Sequence, residues 1–369
     1  MTDYIRSEIV HHTGILTLDR PKALNSLSLQ MIRELTRTLL SWRADAAIDA
    51  VVIRSSSEKA FCAGGDIRFF YDAGQSTPAG GSALLEDFFT EEYTLNHLIH
   101  HFPKPYIALM DGVVMGGGMG ISQSGAGTQL RIVTERTKMA MPEVNIGLFP
   151  DVGGSYFLPR TPGQIGNYLG IIGDTIGAAD AIYAGLADIY IPSSQIPALN
   201  AVIADHVGKE LRQTILTFAA AFQAEIDVAN CALAKNRAAI DRHFAHASVP
   251  AIIASLAADN EPFAQKILAA QHKRSPLMMC VTLELLTRGS TLQVADCLRL
   301  ERGVVRRSFE QREILEGVRA LVIDKDNAPQ WNPAQLADVS DELVASFFAP
   351  PWPAHAHPLR DLSKGLVLS

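Results

Sequence analysis

Apolar residues recur along this chain in two rhythms, and the change from one to the other divides it. In the first half, short apolar runs dominate. Gly14-Ile-Leu-Thr-Leu-Asp19 reads as a strand running into Arg20-Pro21. Ala50-Val-Val-Ile-Arg54 reads as a short buried strand, and Lys104-Pro-Tyr-Ile-Ala-Leu-Met110 as another with Pro105 at its edge. Leu130–Thr134 and Lys138–Met141 add two more. After the first strand, Leu29, Ile32, Leu35, Leu39 and Trp42 recur at helical spacing, and Ser28 is placed to cap that helix. Strands alternating with helices predict an α/β fold with largely parallel strands.

After Ile191-Pro192 the strand signals thin out. Residues 197–225, 229–246, 262–272 and 290–322 read as helices; Ile196, Leu199, Val202, Ile203 and His206 fall on one helical face. The expected division is therefore a core over 1–195 and a mainly helical region over 196–369. Ser76-Thr-Pro-Ala-Gly-Gly-Ser82 is the strongest candidate for a mobile loop, and the tail from Pro350 is expected to be extended or frayed.

Composition narrows the function classes. The 369 residues are 48% hydrophobic and 19% charged, which fits a globular protein rather than a disordered one. Asp and Glu number 39 against 32 Lys and Arg, a net charge of −7. That balance argues against nucleic acid or an anionic membrane as the main partner. No run reaches the length of a membrane span, and the first residues lack a secretory or import pattern, so a cytoplasmic setting is expected. Cys62, Cys231, Cys280 and Cys297 form no C-x-x-C pair and are expected as reduced thiols. His97 and His101 lie one helical turn apart without the Glu of H-E-x-x-H, so no metal is expected.

The candidate chemistry lies in glycines and carboxylates. Ala63-Gly-Gly-Asp66, Gly116-Gly-Gly-Met-Gly120 and Asp151-Val-Gly-Gly154 stand out. They match neither a dinucleotide fingerprint nor a P-loop, and Gly120-Ile-Ser-Gln-Ser-Gly125 misses the nucleophile-elbow spacing by one residue. The first two segments each follow a strand and precede a predicted helix. Glycine there lets backbone approach a ligand, and two N–H groups aimed at one point make an oxyanion hole; tight turns and packing are the alternative. Glu143 and Asp151 both sit in apolar surroundings, which favours a raised pKa and general-base work; capping a helix is the alternative for each. Of Glu91 and Glu92, one can turn inward from a helix whose other face is solvated.

Taken together, Arg20-Pro-Lys-Ala-Leu-Asn-Ser-Leu27, Ala60-Phe-Cys-Ala-Gly-Gly-Asp-Ile67, Met115-Gly-Gly-Gly-Met119 and Met141-Pro-Glu143 resemble the crotonase (enoyl-CoA hydratase/isomerase) superfamily. Glu91–Asn96, Pro142–Gly154 and Glu316–Asp326 fit its 3-hydroxyisobutyryl-CoA hydrolase branch. The resemblance implies a spiral of ββα turns with a helical C-terminal region, and an acyl-CoA substrate. It places the oxyanion hole on the Gly65 and Gly117 amides, the catalytic glutamate on Glu143 and the second acid on Asp151. It also implies substrate contacts from Glu92, and CoA contacts from Lys22, Ala23, Leu24, Ala63, Asp66 and Ile67. No metal or redox cofactor is implied, because CoA arrives as part of the substrate. Members often form trimers, so a homo-oligomer stays open.

One departure separates the branches. Hydratases of the family carry a second glutamate shortly after the glycine triplet, where this chain has Gly120, while Asp151 stands where they usually have glycine. That exchange points toward thioester hydrolysis, within valine breakdown. Enoyl-CoA hydration or isomerisation, and non-catalytic acyl-CoA binding, stand as alternatives. Ser122–Thr128 is about three residues longer than the hydrolase pattern, which bears on the acyl group accepted.

Overall fold

The computed structural model describes residues 4–77, 81–123 and 129–364. Residues 78–80 of the expected loop and 124–128 of the long Ser122–Thr128 segment lie outside the described residues. The chain folds into two compact units built from interleaved segments. The first comprises Met1–Gly65, Leu95–Ala140 and Ile176–Ala234, and the second Asp66–Thr94, Met141–Thr175 and Lys235–Ser369.

Every strand among the described residues belongs to the first unit: β1 (Ile5–Val10), β2 (Thr13–Leu18), β3 (Ala50–Ser55), β4 (Ala60–Cys62), β5 (Tyr106–Met110), β6 (Val113–Met115), β7 (Leu130–Val133), β8 (Lys138–Ala140) and β9 (Ile189–Tyr190). They form a six-stranded sheet in the order β1-β2-β3-β5-β7-β9 and a three-stranded sheet in the order β4-β6-β8. Only β1 and β2 pair antiparallel; the other pairings are parallel. From β3 to β8 the chain alternates between the sheets, giving one strand to each in turn. A single parallel sheet, which the strand–helix rhythm suggests, is thus replaced by two sheets. The strands β4, β6 and β8 are three residues each; β8 falls within the expected Lys138–Met141, while β4 and β6 are too short for apolar alternation to announce them.

One face of the larger sheet presents Val52, Ile107, Leu109, Leu130 and Ile132. Leu199 and Ile203 of helix Ile196–Asp205 and Leu211 and Ile215 of helix Leu211–Ala219 pack into the same core. The predicted first helix spans Leu29–Ala44, with the Ser28 hydroxyl accepting from the Met31 amide and Met31, Ile32, Leu35, Leu39 and Trp42 buried.

The second unit has helices and turns but no strand among its described residues. Several sequence-based boundaries need correction. The helix expected over 197–225 is broken, because the chain leaves helical geometry at His206 and re-enters it at Leu211. The one expected over 290–322 begins at Val294 and breaks at Arg312, whose φ is +64°. Helices Val249–Ala257, Pro276–Gly289 and Asp341–Phe347 were not evident in the sequence; the second is buried around most of its girth, so it lacks an amphipathic stripe. The C-terminal tail is not simply extended. It turns at Ala354–Ala356, buries Leu359 and Leu362, and the Leu359 carbonyl accepts from Arg299 at 2.9 Å. No helix among the described residues is long and apolar enough to cross a membrane.

Candidate active site

In the first unit the loop Arg20–Leu27 is stitched to β4 and to the residues just after it. The buried Asn25 side chain accepts from the Arg20 amide at 2.8 Å and donates to the carbonyls of Ala60 and Phe61 at 3.2 and 3.1 Å. The Ala63 amide donates to the Leu24 carbonyl at 3.0 Å, and the Leu27 amide to the Gly64 carbonyl at 2.8 Å. Leu24 and Asn25 both adopt positive φ, which turns the loop sharply enough to bring Leu24 beside Ala63. Lys22 and Leu24 are exposed and Ala23 is half-buried.

The two glycine segments of this unit run side by side. A side chain at Gly64, where φ is +106°, would come within 3.3 Å of the Met115 carbonyl oxygen and 3.7 Å of the Gly117 nitrogen. A Cβ at Gly118 would overlap the Cys62 carbonyl oxygen. Glycine is therefore required by close backbone approach, not only by turning. Gly116 caps the single turn Gly117–Gly120 with φ of +48°. Its amide donates to the Ala140 carbonyl, and its own carbonyl accepts from Met119 and Gly120. The Gly65 and Gly117 amides take no part in these bonds.

The carboxylates gather in the second unit. Glu92 lies on helix Ala83–His100 with 2% exposure, while Glu91 beside it is half-buried. Phe70, Phe88, Phe89 and Phe309 stack edge-on and tilted, with ring centres 4.8–6.4 Å apart, and fix this stretch of helix. Glu143 opens the 3₁₀ turn Glu143–Ile146, which Gly147 closes with φ of +70°. Asp151 begins a tight reversal in which Val152 and Gly153 both take positive φ. For a β-branched residue such as Val152 this is a strained geometry, held by its surroundings.

Asp151 does not cap the following helix; Gly153 occupies the cap of Gly154–Phe157. Its carboxylate instead accepts from the Tyr93 hydroxyl at 2.7 Å. Glu143 and Asp151 are 6% and 5% exposed. One oxygen of Glu92 and one of Glu143 are buried without a hydrogen-bond partner. Buried carboxylate oxygens are normally satisfied, so these two mark a place for a ligand or a proton.

Burial pushes the Glu143 carboxyl well above its ordinary range, and the nearby charges of Asp151 and Glu92 push it further. Glu92 is raised in the same way, by burial and then by Asp151. Asp151 rises to about 6 through burial, against the Tyr93 hydrogen bond, which favours its anion. Sequence reasoning had the three acids but not Tyr93 or Glu301. Glu301 is fully buried on helix Val294–Glu310 and accepts from the Gly153 and Ser155 amides. The one signal for it was a charged pair, Glu301-Arg302, on the apolar stripe of Val294, Leu298 and Val305.

Asp66, expected among the CoA contacts, uses its carboxylate to cap helix Ile67–Ser76, accepting from the Phe69 amide at 3.3 Å. Ile67, the first residue of that helix, is half-buried.

A model of the enoyl-CoA hydratase/isomerase family matches residues 13–348. Curated relatives include 3-hydroxyisobutyryl-CoA hydrolase, mitochondrial, from Gallus gallus, 40% identical over 91% of this chain and 86% of the relative. The Homo sapiens protein of the same name is 36% identical over 91% of this chain and 86% of that protein. Among solved structures, a carnitinyl-CoA dehydratase from Mycobacterium thermoresistibile superposes with a TM-score of 0.87 at 38% identity, covering 95% of this chain and 98% of that one.

Proposed function

The chain belongs to the enoyl-CoA hydratase/isomerase (crotonase) family, and from that premise we propose that it hydrolyses a short 3-hydroxyacyl-CoA thioester, 3-hydroxyisobutyryl-CoA above all. One observation carries the reading. Glu143 is buried beside Asp151 with a carboxylate oxygen left unpartnered, while position 120, which could hold a second glutamate for hydration, is glycine.

In this reading the Gly65 and Gly117 amides receive the thioester oxygen as it becomes anionic. Each such donor lowers a barrier by about 2.7–4 kcal/mol. Glu143 acts at the carbonyl carbon. As nucleophile it forms a mixed anhydride and expels CoA thiolate, and water then cleaves the anhydride; as base it takes a proton from the attacking water. Either route yields the free acid and CoA. Burial makes the Glu143 anion a stronger base than an ordinary carboxylate, which suits both routes. Asp151 orients the substrate hydroxyl or returns a proton to the leaving thiolate, and Glu92 helps place the acyl group. CoA is held by Lys22, Ala23, Leu24, Ala63, Asp66 and Ile67. Because the Asp66 carboxylate serves its helix, its share comes through the backbone.

Hydration or dehydration of an enoyl-CoA is the second reading, favoured by the name of the superposed dehydratase. The test is free-thiol release from 3-hydroxyisobutyryl-CoA, run beside loss of crotonyl-CoA absorbance, for the wild type and Glu143→Gln. Thiol release that collapses in the variant supports hydrolysis. Absorbance loss without thiol release overturns it. Silence in both, with CoA still bound, supports the binding-protein alternative.

A further inference from the structure

Glu301 is far from Asp151 in sequence and is not one of the acids the family resemblance assigns. It is fully buried, yet its carboxylate is saturated by one short stretch of chain. Oε2 accepts from the Gly153 amide at 2.8 Å; Oε1 accepts from the Ser155 amide at 2.9 Å and from the Ser155 hydroxyl. These donors lie two and four residues after Asp151, within the reversal that forces Val152 to positive φ. A strained turn persists only where its surroundings over-determine it, and Glu301 supplies three of the bonds that do so.

The next residue extends the same grip. Arg302, 1% exposed, bonds the Thr90 hydroxyl at 3.1 Å and pairs with Glu86, both on the helix that carries Glu92 and Tyr93. Tyr93 then closes the frame onto Asp151. Two adjacent side chains of helix Val294–Glu310 thus hold the turn that follows Asp151 and the helix that bears Glu92. An apolar residue at 301 would leave the Gly153 and Ser155 amides without an acceptor, so the turn depends on a carboxylate at this position of the helix.

We propose that Glu301 is a positioning residue, which aims the Asp151 carboxylate by clamping the Asp151–Ser155 turn. The inference rests on the hydrolase reading for its kinetic consequence, but not for its structural one. Glutamine would be a poor substitute despite its shape, because its NH₂ would face one of the amide donors and leave it unpaired.

Two readouts test it: kcat and KM for thiol release, and the pH titration of the Asp151 side-chain carbon in [¹³C]aspartate-labelled protein, assigned by its loss in Asp151→Asn. The groups around that carboxyl are Tyr93, Glu92, Glu143 and Glu301. Glu301→Gln should lower kcat on the order of 10- to 100-fold with KM changed less than about threefold, and should move the Asp151 midpoint. Ser155→Ala, which deletes one donor and spares both amides, should do the same to a smaller degree, about three- to tenfold in kcat. Glu301→Asp should recover part of the loss. Wild-type kcat with an unmoved Asp151 signal in folded Glu301→Gln overturns the proposal, as does a loss carried entirely by KM. Should Glu301→Gln not fold, Ser155→Ala decides on the same criteria. Should the wild type release no thiol, the hydrolase reading fails, and the Asp151 titration alone decides whether Glu301 positions that carboxylate.

Discussion

The strand-bearing unit and the helical unit carry different kinds of candidate group. In the first, the candidate groups are backbone amides, at Gly65 and Gly117, and their placement follows from strand ends and glycine turns. In the second they are side chains, Glu92, Glu143 and Asp151, whose character comes from burial. A backbone donor has a fixed charge distribution and is tuned only by position. A carboxylate is tuned by its surroundings, and here burial raises all three. The first kind of site fails when backbone moves; the second fails when a proton or a partner changes.

The sharpest break on the side-chain half is Glu143→Gln. Thiol release should fall on the order of 10³-fold while CoA affinity, read by calorimetry, stays within about threefold. The matching break on the backbone half is Gly118→Ala. Its methyl would overlap the Cys62 carbonyl oxygen, so the paired glycine segments must separate. Losing the alignment of one donor should lower kcat on the order of 10²-fold, with a folded protein destabilised by about 1–3 kcal/mol in denaturant titration.

Protonation sharpens the contrast further. Burial raises Asp151 to about 6 and Glu313 to about 7, both in the helical unit. A folded-state pKa above the unfolded value means the native state binds more protons between the two. Stability is therefore fully present below the unfolded carboxylate range and is lost as pH rises toward 8. The slope per differing proton is about 1.4 kcal/mol per pH unit at most. Urea midpoints should fall from pH 5 to pH 8, and Glu313→Gln should flatten that fall between pH 5 and pH 7. An equal slope in the variant would remove Glu313 from the account. The smallest expected effect belongs to Lys22→Ala. If its exposed ammonium meets a CoA phosphate as proposed, the loss should change KM by about two- to fivefold, with the difference shrinking as salt is raised.

Legibility in the sequence follows the same division. The loop Arg20–Leu27, the segment Ala60–Ile67 and the glycine triplet are local patterns, and their turns, caps and close approaches are governed by residues next to one another. The helix from Leu29 and the strands β2, β3, β5 and β7 were equally plain, because each carries its own apolar period or run. The short strand β8 was also expected, within Lys138–Met141, but the equally short β4 and β6 were not, since three residues hold too little pattern and depend on pairing with partners far along the chain. Helix Pro276–Gly289 was missed for the opposite reason: it is buried on nearly every side, and uniform burial erases the stripe that marks an amphipathic helix.

The sequence by itself determined the family, the α/β alternation, the glycine segments and the three candidate acids. Those depend on residue type and short-range spacing. Only the tertiary structure decided that the strands split between two sheets, that Asp151 faces Tyr93 instead of capping a helix, and that Glu301 holds the turn behind it. Each of these is a contact across many residues, and the raised carboxyl groups arise from the dehydration those contacts impose. Neighbours in the chain set backbone geometry. Neighbours in space set the solvent, and with it the charge.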